Sequence, residues 1–307
     1  MKICVSDACN GKFSKDIVNH WRALGHEVKT SIYPEYDRIA ESDLVWFDWV
    51  DNSLIKMSRE KPPKRGRIIA RLFDIDYYAN HYGAVDWEWV DDLIFISDRI
   101  MNLTMSKQKF PPSLKIHRID CGIDLEKFAF KTQPLGRKIA FIGRLWIGKN
   151  VAMALKILAT LRKEYKMDWQ DEWTMTILGL GWHPNWYEDY CKNLIDALDL
   201  KEAVTFVNHV PNVNEFLEDK DFLLSTSYKE SFGYVIGESL AKGIKAIIHT
   251  FPDAKKIWPK ELIFATEEEA VMRFHEGCHP IRYRKFIEER YPLKKQLEAF
   301  DKILKGE

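Results

Sequence analysis

A repeated alternation of short apolar runs with helix-length segments limits the folds open to this chain more than any other feature. In the first half, runs of strand length are separated by stretches that can form helices. The predicted strands are Lys2–Ser6, Glu27–Ile32, Leu44–Asp48, Arg67–Leu72, Leu93–Ser97 and Leu114–Asp120, and the predicted helices are Ser14–Leu24, Asp51–Arg59, Asp86–Val90 and Asp98–Lys107. This order is typical of βαβ units around a parallel sheet, so we predict an α/β fold.

The second half continues the alternation after a predicted linker, Phe130–Gly136, which contains Pro134. A chain of 307 residues is long enough for two domains, so a break in this region is expected. The predicted elements are a strand at Arg137–Gly143, a helix from Val151 to about Tyr165, strands ending near Gly179-Leu-Gly181 and at Leu224, a strand after Gly243, and terminal helices from Pro280 to Lys305.

The stretch Ser225–Gly243 combines a predicted strand end, a loop and a helix. Apolar residues at helical spacing predict a helix that stops at Gly243. Glu230 lies in the loop and Glu238 about two turns inside the helix, so both can reach one ligand. The segment Ser231-Phe232-Gly233 stands at the helix N-terminus, where backbone N–H groups suit a phosphate. Carboxylates beside a phosphate would then address sugar or ribose hydroxyls.

A second strand–loop–helix unit places two cations around a helix start. Arg144 directly follows Gly143 after the predicted strand, and Lys149 precedes the predicted helix. A guanidinium offers phosphate oxygens a fork of donors, and an ammonium offers a compact charge. The loop lacks the glycine and lysine order of a P-loop.

These motifs resemble those of the retaining GT-B glycosyltransferases, family four (glycosyl transferases group 1). The resemblance is carried by Glu-x7-Glu at Glu230 and Glu238, by Phe-x-Gly-Arg-Leu…Lys-Asn ending at Asn150, and by Gly-Ile-Asp…Phe ending at Phe128. It implies two Rossmann-like domains with parallel sheets facing an interdomain cleft. Residues 1–132 would form the acceptor domain, 133–285 the nucleotide-sugar domain, and 286–307 a helix crossing back to the first.

The resemblance also implies roles for individual residues. The first glutamate would contact the donor sugar and the second the ribose, while Arg144 and Lys149 would stabilise the leaving diphosphate in place of a metal. Asp74 would contact the acceptor, with Asp76 behind it. The predicted catalytic residues are Arg144, Lys149, Glu230 and Asp74, and the predicted nucleotide-sugar contacts are Gly11, Gly143, Gly179, Val210, Ser231, Phe232, Gly233 and Glu238.

The implied reaction transfers a sugar from a nucleoside-diphosphate sugar to a hydroxyl with retention of configuration, without a cofactor or an obligatory metal. Asp74-x-Asp76 imitates the metal triplet of GT-A enzymes, but the triplet is common and would make the second half redundant. Two other classes stay open. One is a phage-type glycosyltransferase acting on modified bases in DNA, and the other is a GT-B protein that binds a sugar nucleotide without transferring the sugar.

Two features of the first half have alternative interpretations. The basic segment Lys56–Arg71 suits an anionic acceptor such as a phospholipid head group, a sugar phosphate or nucleic acid, or it is a solvated loop. The tryptophans could stack on sugars or bases, or cover the edges of a core. They stand at positions Trp46, Trp49, Trp87 and Trp89.

Composition restricts the partners and the compartment. Lysine plus arginine and aspartate plus glutamate both number 46, so no global field attracts nucleic acid or an anionic membrane. Five scattered cysteines lack zinc-ligand spacing and indicate a reducing compartment. Apolar runs are shorter than a membrane span, and the start of the chain is strand-like, so we expect a cytoplasmic protein.

Overall fold

The computed structural model describes residues 1–9, 11, 13–132, 135–164, 172–179 and 186–306. The chain divides into two compact units, Met1–Cys121 with Lys294–Glu307 and Gly122–Leu293. The chain therefore leaves the first unit at Cys121 and returns to it at Lys294, whereas the sequence placed the breaks after residues 132 and 285. Three predicted features, at Pro134, Tyr165 and Gly181, lie outside the described residues.

The first unit is built on a six-stranded parallel sheet with the strand order β2-β1-β3-β4-β5-β6. Its strands are β1 (Lys2–Ser6), β2 (Glu27–Ser31), β3 (Leu44–Phe47), β4 (Arg67–Leu72), β5 (Asp92–Phe95) and β6 (Lys115–Arg118). Its helices are α1 (Lys15–Ala23), α2 (Tyr36–Glu41), α3 (Asn52–Glu60), α4 (Asp74–Tyr78) and α5 (Asp98–Lys107). The predicted helix at Asp86–Val90 is a 3-10 turn over Trp87–Trp89.

The second unit carries another six-stranded parallel sheet, with the order β12-β11-β10-β7-β8-β9. Its strands are β7 (Lys138–Ile142), β8 (Thr174–Leu178), β9 (Val204–Val207), β10 (Phe222–Ser225), β11 (Lys245–His249) and β12 (Ile263–Phe264). The remaining helices are α6 (Val151–Glu164), α7 (Trp186–Ala197), α8 (Val213–Phe216), α9 (Tyr234–Ala241), α10 (Ala254–Ile257), α11 (Glu267–His275), α12 (Pro280–Arg290) and α13 (Leu293–Lys305).

Each sheet is covered on its faces by apolar side chains, which explains why the strands read as continuous apolar runs. In the first unit, one face packs around Phe47 and Trp89 and the other around Trp46 and Phe300 from α13. The Trp46 and Phe300 rings meet edge to face at 5.0 Å. Trp46, Trp87 and Trp89 are core residues, as the second interpretation of the tryptophans proposed.

The strand order reverses once in each sheet, between β1 and β3 and between β7 and β10. Chain connections leave such a point in opposite directions, so a crevice opens beyond the carboxyl ends of the two strands. The loops that follow β7 and β10 carry most of the predicted site residues. None of the helices within the described ranges combines the length and the apolar character needed to cross a membrane.

Candidate functional site

At the point where the strand order of the second sheet reverses, the loops 143–150 and 226–233 lie next to each other. We call these two loops together the β7–β10 site. The ammonium of Lys149, at the end of a 3-10 turn, donates to Oε1 of Glu230. Their side chains are 27% and 17% exposed, so the pair is shielded but remains within reach of a ligand. The fold thus brings into contact two charged residues that the sequence analysis had assigned to different parts of the donor.

Hydrogen bonds to backbone carbonyls fix the two loops against each other. The hydroxyl of Thr226 donates to the carbonyls of Lys149 and Asn150 at 2.9 and 2.8 Å. The amide of Tyr228 donates to the carbonyl of Gly148 at 3.0 Å. Thr226 is fully buried. Sequence reasoning missed this residue, since its only sequence signal is its position just after an apolar strand.

Two predicted glycines let the backbone approach closely beside Lys149. Gly143 donates to the carbonyl of Leu178 at 2.9 Å, and a Cβ on Gly143 would lie 3.2 Å from the Lys149 side chain. Gly179 has a φ of +110°, and a Cβ there would lie 3.0 Å from the Gly143 carbonyl oxygen. The aliphatic part of the Lys149 side chain therefore lies against the backbone of Gly143. A larger residue in place of either glycine would make close contacts there.

The helix α9 starts immediately after the loop that carries Glu230. Gly233 is its N-cap with a φ of +87°, a conformation that favours glycine. The Phe232 ring is buried and packs 5.0 Å from the rings of both Trp258 and Tyr291. Phe232 can therefore offer a ligand its backbone but not its side chain, while its ring anchors the start of the helix.

The other predicted residues of this unit lie near the same end of the sheet. Arg144 is exposed directly after β7, and Ser231 is half-buried beside Glu230. Glu238 is half-buried in α9, little more than one turn from its start, and not two turns as predicted. Val210 is half-buried between β9 and α8 at the edge of the sheet.

The first unit holds the other two predicted site residues, Asp74 and Gly11. Asp74 starts α4 and is half-buried, and Gly11 donates its amide to the carboxylate of Asp7 at 3.1 Å. Asp76, proposed to stand behind Asp74, is buried and accepts from the amides of Phe73 and Val50 at 3.0 and 3.3 Å. Burial raises the pKa of Asp76 well above its usual range. Asp76 therefore supports loop structure.

The basic segment is largely neutralised within its own unit. Its ion pairs are Lys61 with Asp86, Lys64 with Asp91, Arg65 with Asp43, Arg67 with Asp92, and Arg71 with Asp48. Arg71, the last cation of the predicted basic segment, is buried, with only 1% of its side chain exposed. Its guanidinium lies 3.0 Å from Asp48 and 4.7 Å from the centre of the Phe73 ring. These contacts favour a structural role for the segment over an anion site.

No group of three or more potential metal-binding side chains occurs among the residues with described positions.

Comparison with known proteins places these features in context. Residues 124–259, a little less than half of the chain, match the family Glycosyl transferases group 1, the family that the sequence motifs resemble. This segment includes Arg144, Lys149, Glu230 and Glu238. An uncharacterised glycosyltransferase of Haemophilus influenzae is 26% identical over 143 residues, which are 46% of this chain and 38% of that relative. The aligned part is thus well under half of the relative's length.

Two solved structures share the fold over nearly their whole length. HepE of Anabaena, in complex with UDP-glucose, has a TM-score of 0.78 at 15% identity, with all of both chains covered. A glycosyltransferase of Rickettsia africae has a TM-score of 0.75 at 14% identity, covering 99% of this chain and 98% of its own. The predicted GT-B fold is thereby confirmed.

Proposed function

We propose that this chain is a retaining, metal-independent glycosyltransferase that moves a sugar from a nucleoside-diphosphate sugar to a hydroxyl acceptor. The observation that carries the proposal is the contact of Lys149 with Glu230 at the β7–β10 site, inside the segment that matches the family. A cation and a carboxylate in contact can address two adjacent parts of a sugar nucleotide, the diphosphate and the sugar. The ammonium suits the diphosphate, and the carboxylate suits the sugar hydroxyls.

The cations of the site would act on the charge that develops as the donor breaks. When the bond between the anomeric carbon and the diphosphate breaks, its electron pair goes to the departing phosphate oxygen. Lys149, Arg144 and the N-terminus of α9 would stabilise that oxygen, and such preorganised groups can contribute several kcal/mol, roughly 3–4 per donor. In this proposal the two side chains supply the charge that a metal ion supplies in other glycosyltransferases.

The glutamates would orient the donor rather than attack it. Glu230 would accept hydrogen bonds from the sugar hydroxyls and Glu238 from the ribose. The acceptor oxygen would form its bond on the face that the diphosphate leaves, and its proton would pass to the departing phosphate oxygen. Bond formation on that face gives retention of configuration.

Different observations limit the choice of donor and the choice of acceptor. HepE was solved with UDP-glucose, so UDP-glucose is the first donor to test. For the acceptor, the ion pairs of the basic segment weaken one of the two features that favour DNA, the other being the tryptophans. We propose a hydroxyl group of a glycan, a lipid or a small molecule.

The decisive experiment follows nucleoside-diphosphate release from UDP-, GDP- and ADP-sugars, with and without EDTA. We expect slow release from one donor, unaffected by EDTA, and a loss of about 100-fold or more in Lys149→Ala, since Lys149 would act in the transition state. Lys163→Ala, at an exposed position of α6, is the control and should keep full activity.

Three results would contradict separate parts of the proposal. Turnover of Lys149→Ala within a few fold of the parent would overturn the assignment of the donor site. Activity lost in EDTA and restored by a divalent cation would overturn metal independence. Once an acceptor is found, an inverted anomer in the NMR spectrum of the product would overturn retention.

A further inference from the structure

Thr226 links the two loops of the β7–β10 site through a single hydroxyl. That hydroxyl has one proton, and the carbonyls of Lys149 and Asn150 both lie within 2.9 Å of its oxygen, so they share it. With the Tyr228 amide on the carbonyl of Gly148, three consecutive carbonyls accept from the loop after β10. The backbone that carries Lys149 is therefore held by the loop that carries Glu230.

Lys149 is held at three points, one in its backbone and two along its side chain. Its backbone carbonyl accepts from Thr226, its stem lies against Gly143, and its ammonium contacts Glu230. Asn150 ends the turn in the left-handed conformation with a φ of +50°, which asparagine tolerates better than most residues. The chain direction therefore changes immediately after Lys149.

We propose that Thr226 is a positioning residue for sugar transfer, which acts by fixing the backbone of Lys149 so that its ammonium is placed for the leaving diphosphate. This inference rests on the function proposed above. A lysine stem is long and flexible, so an ammonium on a loosened turn would occupy many positions. A charge that must meet a developing oxyanion loses much of its effect when it is displaced by about 1 Å.

The proposal predicts which kinetic constant changes. An interaction realised mainly in the transition state affects kcat, whereas uniform binding of the donor affects KM. Thr226→Val keeps the shape of the side chain and removes the hydroxyl. We expect it to lower kcat by about 10- to 100-fold with donor KM within about threefold of the parent, and Thr226→Ser to restore most of kcat.

A double-variant cycle distinguishes positioning from general destabilisation. If Thr226 acts through Lys149, Thr226→Val adds no further loss of kcat in a Lys149→Ala background. Ser58→Ala is the matched control, since the buried Ser58 hydroxyl also takes part in two hydrogen bonds, with the Ile55 carbonyl and the Asp86 amide, both at 3.0 Å. Neither Ser58 nor its two partners is among the predicted site residues, so its removal should leave kcat unchanged.

A measurement independent of activity separates this proposal from the proposed function. The acylation rate of Lys149, followed by mass spectrometry, should rise several-fold in Thr226→Val, because the ammonium is less firmly held. Thr226→Ala serves the same purpose if the valine variant does not fold. An unchanged labelling rate, an unchanged kcat, or an equal loss of kcat in the Lys149→Ala background would overturn the positioning role. An inactive parent with increased labelling in the variant would refute only the enzyme function.

Discussion

The carboxylate of Asp76, which belongs to a triplet that imitates a metal site, binds backbone amides of its own chain. Both of its described hydrogen bonds come from backbone amides, of Phe73 and Val50, and both end on the same oxygen, Oδ2. Burial raises its pKa because the charged form is poorly solvated there. The sequence triplet that resembled a metal site therefore has a structural explanation.

Asp76→Asn should change the pH dependence of stability. The folded pKa of Asp76 is raised, so between the unfolded and folded pKa values the folded state holds a proton that the unfolded state has lost. The parent therefore loses stability as pH rises through this window. An asparagine oxygen can accept the same two amides without charge. We expect the variant to be more stable than the parent above the window, measured by urea unfolding at several pH values.

Asp43→Asn should show the opposite sign. The amide of Lys2 donates to the Asp43 carboxylate at 2.7 Å and lowers the pKa of this half-buried group. That variant should be less stable than the parent at neutral pH, and the difference should disappear in acid. An Asp76→Asn variant that is less stable than the parent at every pH would contradict the structural account of Asp76.

The sequence predicted which residues belong to the site better than it predicted which of them contact each other. Arg144, Lys149, Glu230 and Glu238 stand at motif positions that sequence alone can find. The contact of Lys149 with Glu230, and the hydroxyl of Thr226 behind it, depend on β7 and β10 being neighbours in the sheet. Strand order is a long-range property that no local pattern contains.

The C-terminal ends of the helices α1 and α9 have the same backbone structure in different surroundings. The helices α1 and α9 both end with a glycine, Gly25 and Gly243, at φ values of +84° and +85°. In both, the glycine amide and the following amide donate back to carbonyls of the last turn. The two glycines differ in their surroundings. A Cβ on Gly25 would meet nothing within 4 Å, whereas one on Gly243 would lie 2.8 Å from the Phe130 ring.

Alanine at these two positions should therefore have unequal effects. Gly25→Ala incurs only the cost of the left-handed conformation, about 1–2 kcal/mol. Gly243→Ala adds a clash with Phe130 and with Pro280, at 3.0 Å, so we expect roughly 3 kcal/mol or more. Hydrogen exchange of core amides in each unit gives the free energy of opening. Equal losses for the two variants would show that the neighbours of Gly243 yield easily.

Several elements were predicted from the period of their apolar residues, while the helices α7 and α11, of 12 and 9 residues, were not. The strands β1 and β4 begin and end where the sequence placed them, because most of their residues are apolar and buried. The helices α2 and α4, of 6 and 5 residues, were missed, since so few positions do not establish a helical period. The stop at Gly243 was predicted correctly from its residue type.

On the scale of the whole molecule, the first unit is discontinuous in sequence. Its sheet comes from residues before Cys121, while α13 comes from the end of the chain. Phe300 of α13 is fully buried against Trp46, and Asp301 accepts from the indole of Trp21 at 3.2 Å. A helix distant in sequence thus completes the core of this unit.

Phe300→Ala should consequently destabilise the first unit selectively. Removing a fully buried phenylalanine costs about 3–5 kcal/mol. Hydrogen exchange should show lost protection in β1 and β3, with β7 and β10 unaffected. Phe130→Ala, at a side chain that is 38% exposed, is the control and should cost much less. Protection lost equally in both units would show that they open as one cooperative body.

The discontinuity of the first unit also bears on the order in which the chain can fold as it is synthesised. The strands of the first sheet leave the ribosome before the whole second unit, and α13 follows only afterwards. Until then, the face around Trp46 lacks its covering helix and exposes apolar surface that can associate with other chains. The second unit is continuous and needs no later segment. Nascent chains should therefore depend on chaperones most during the interval between the last strand of the first sheet and α13.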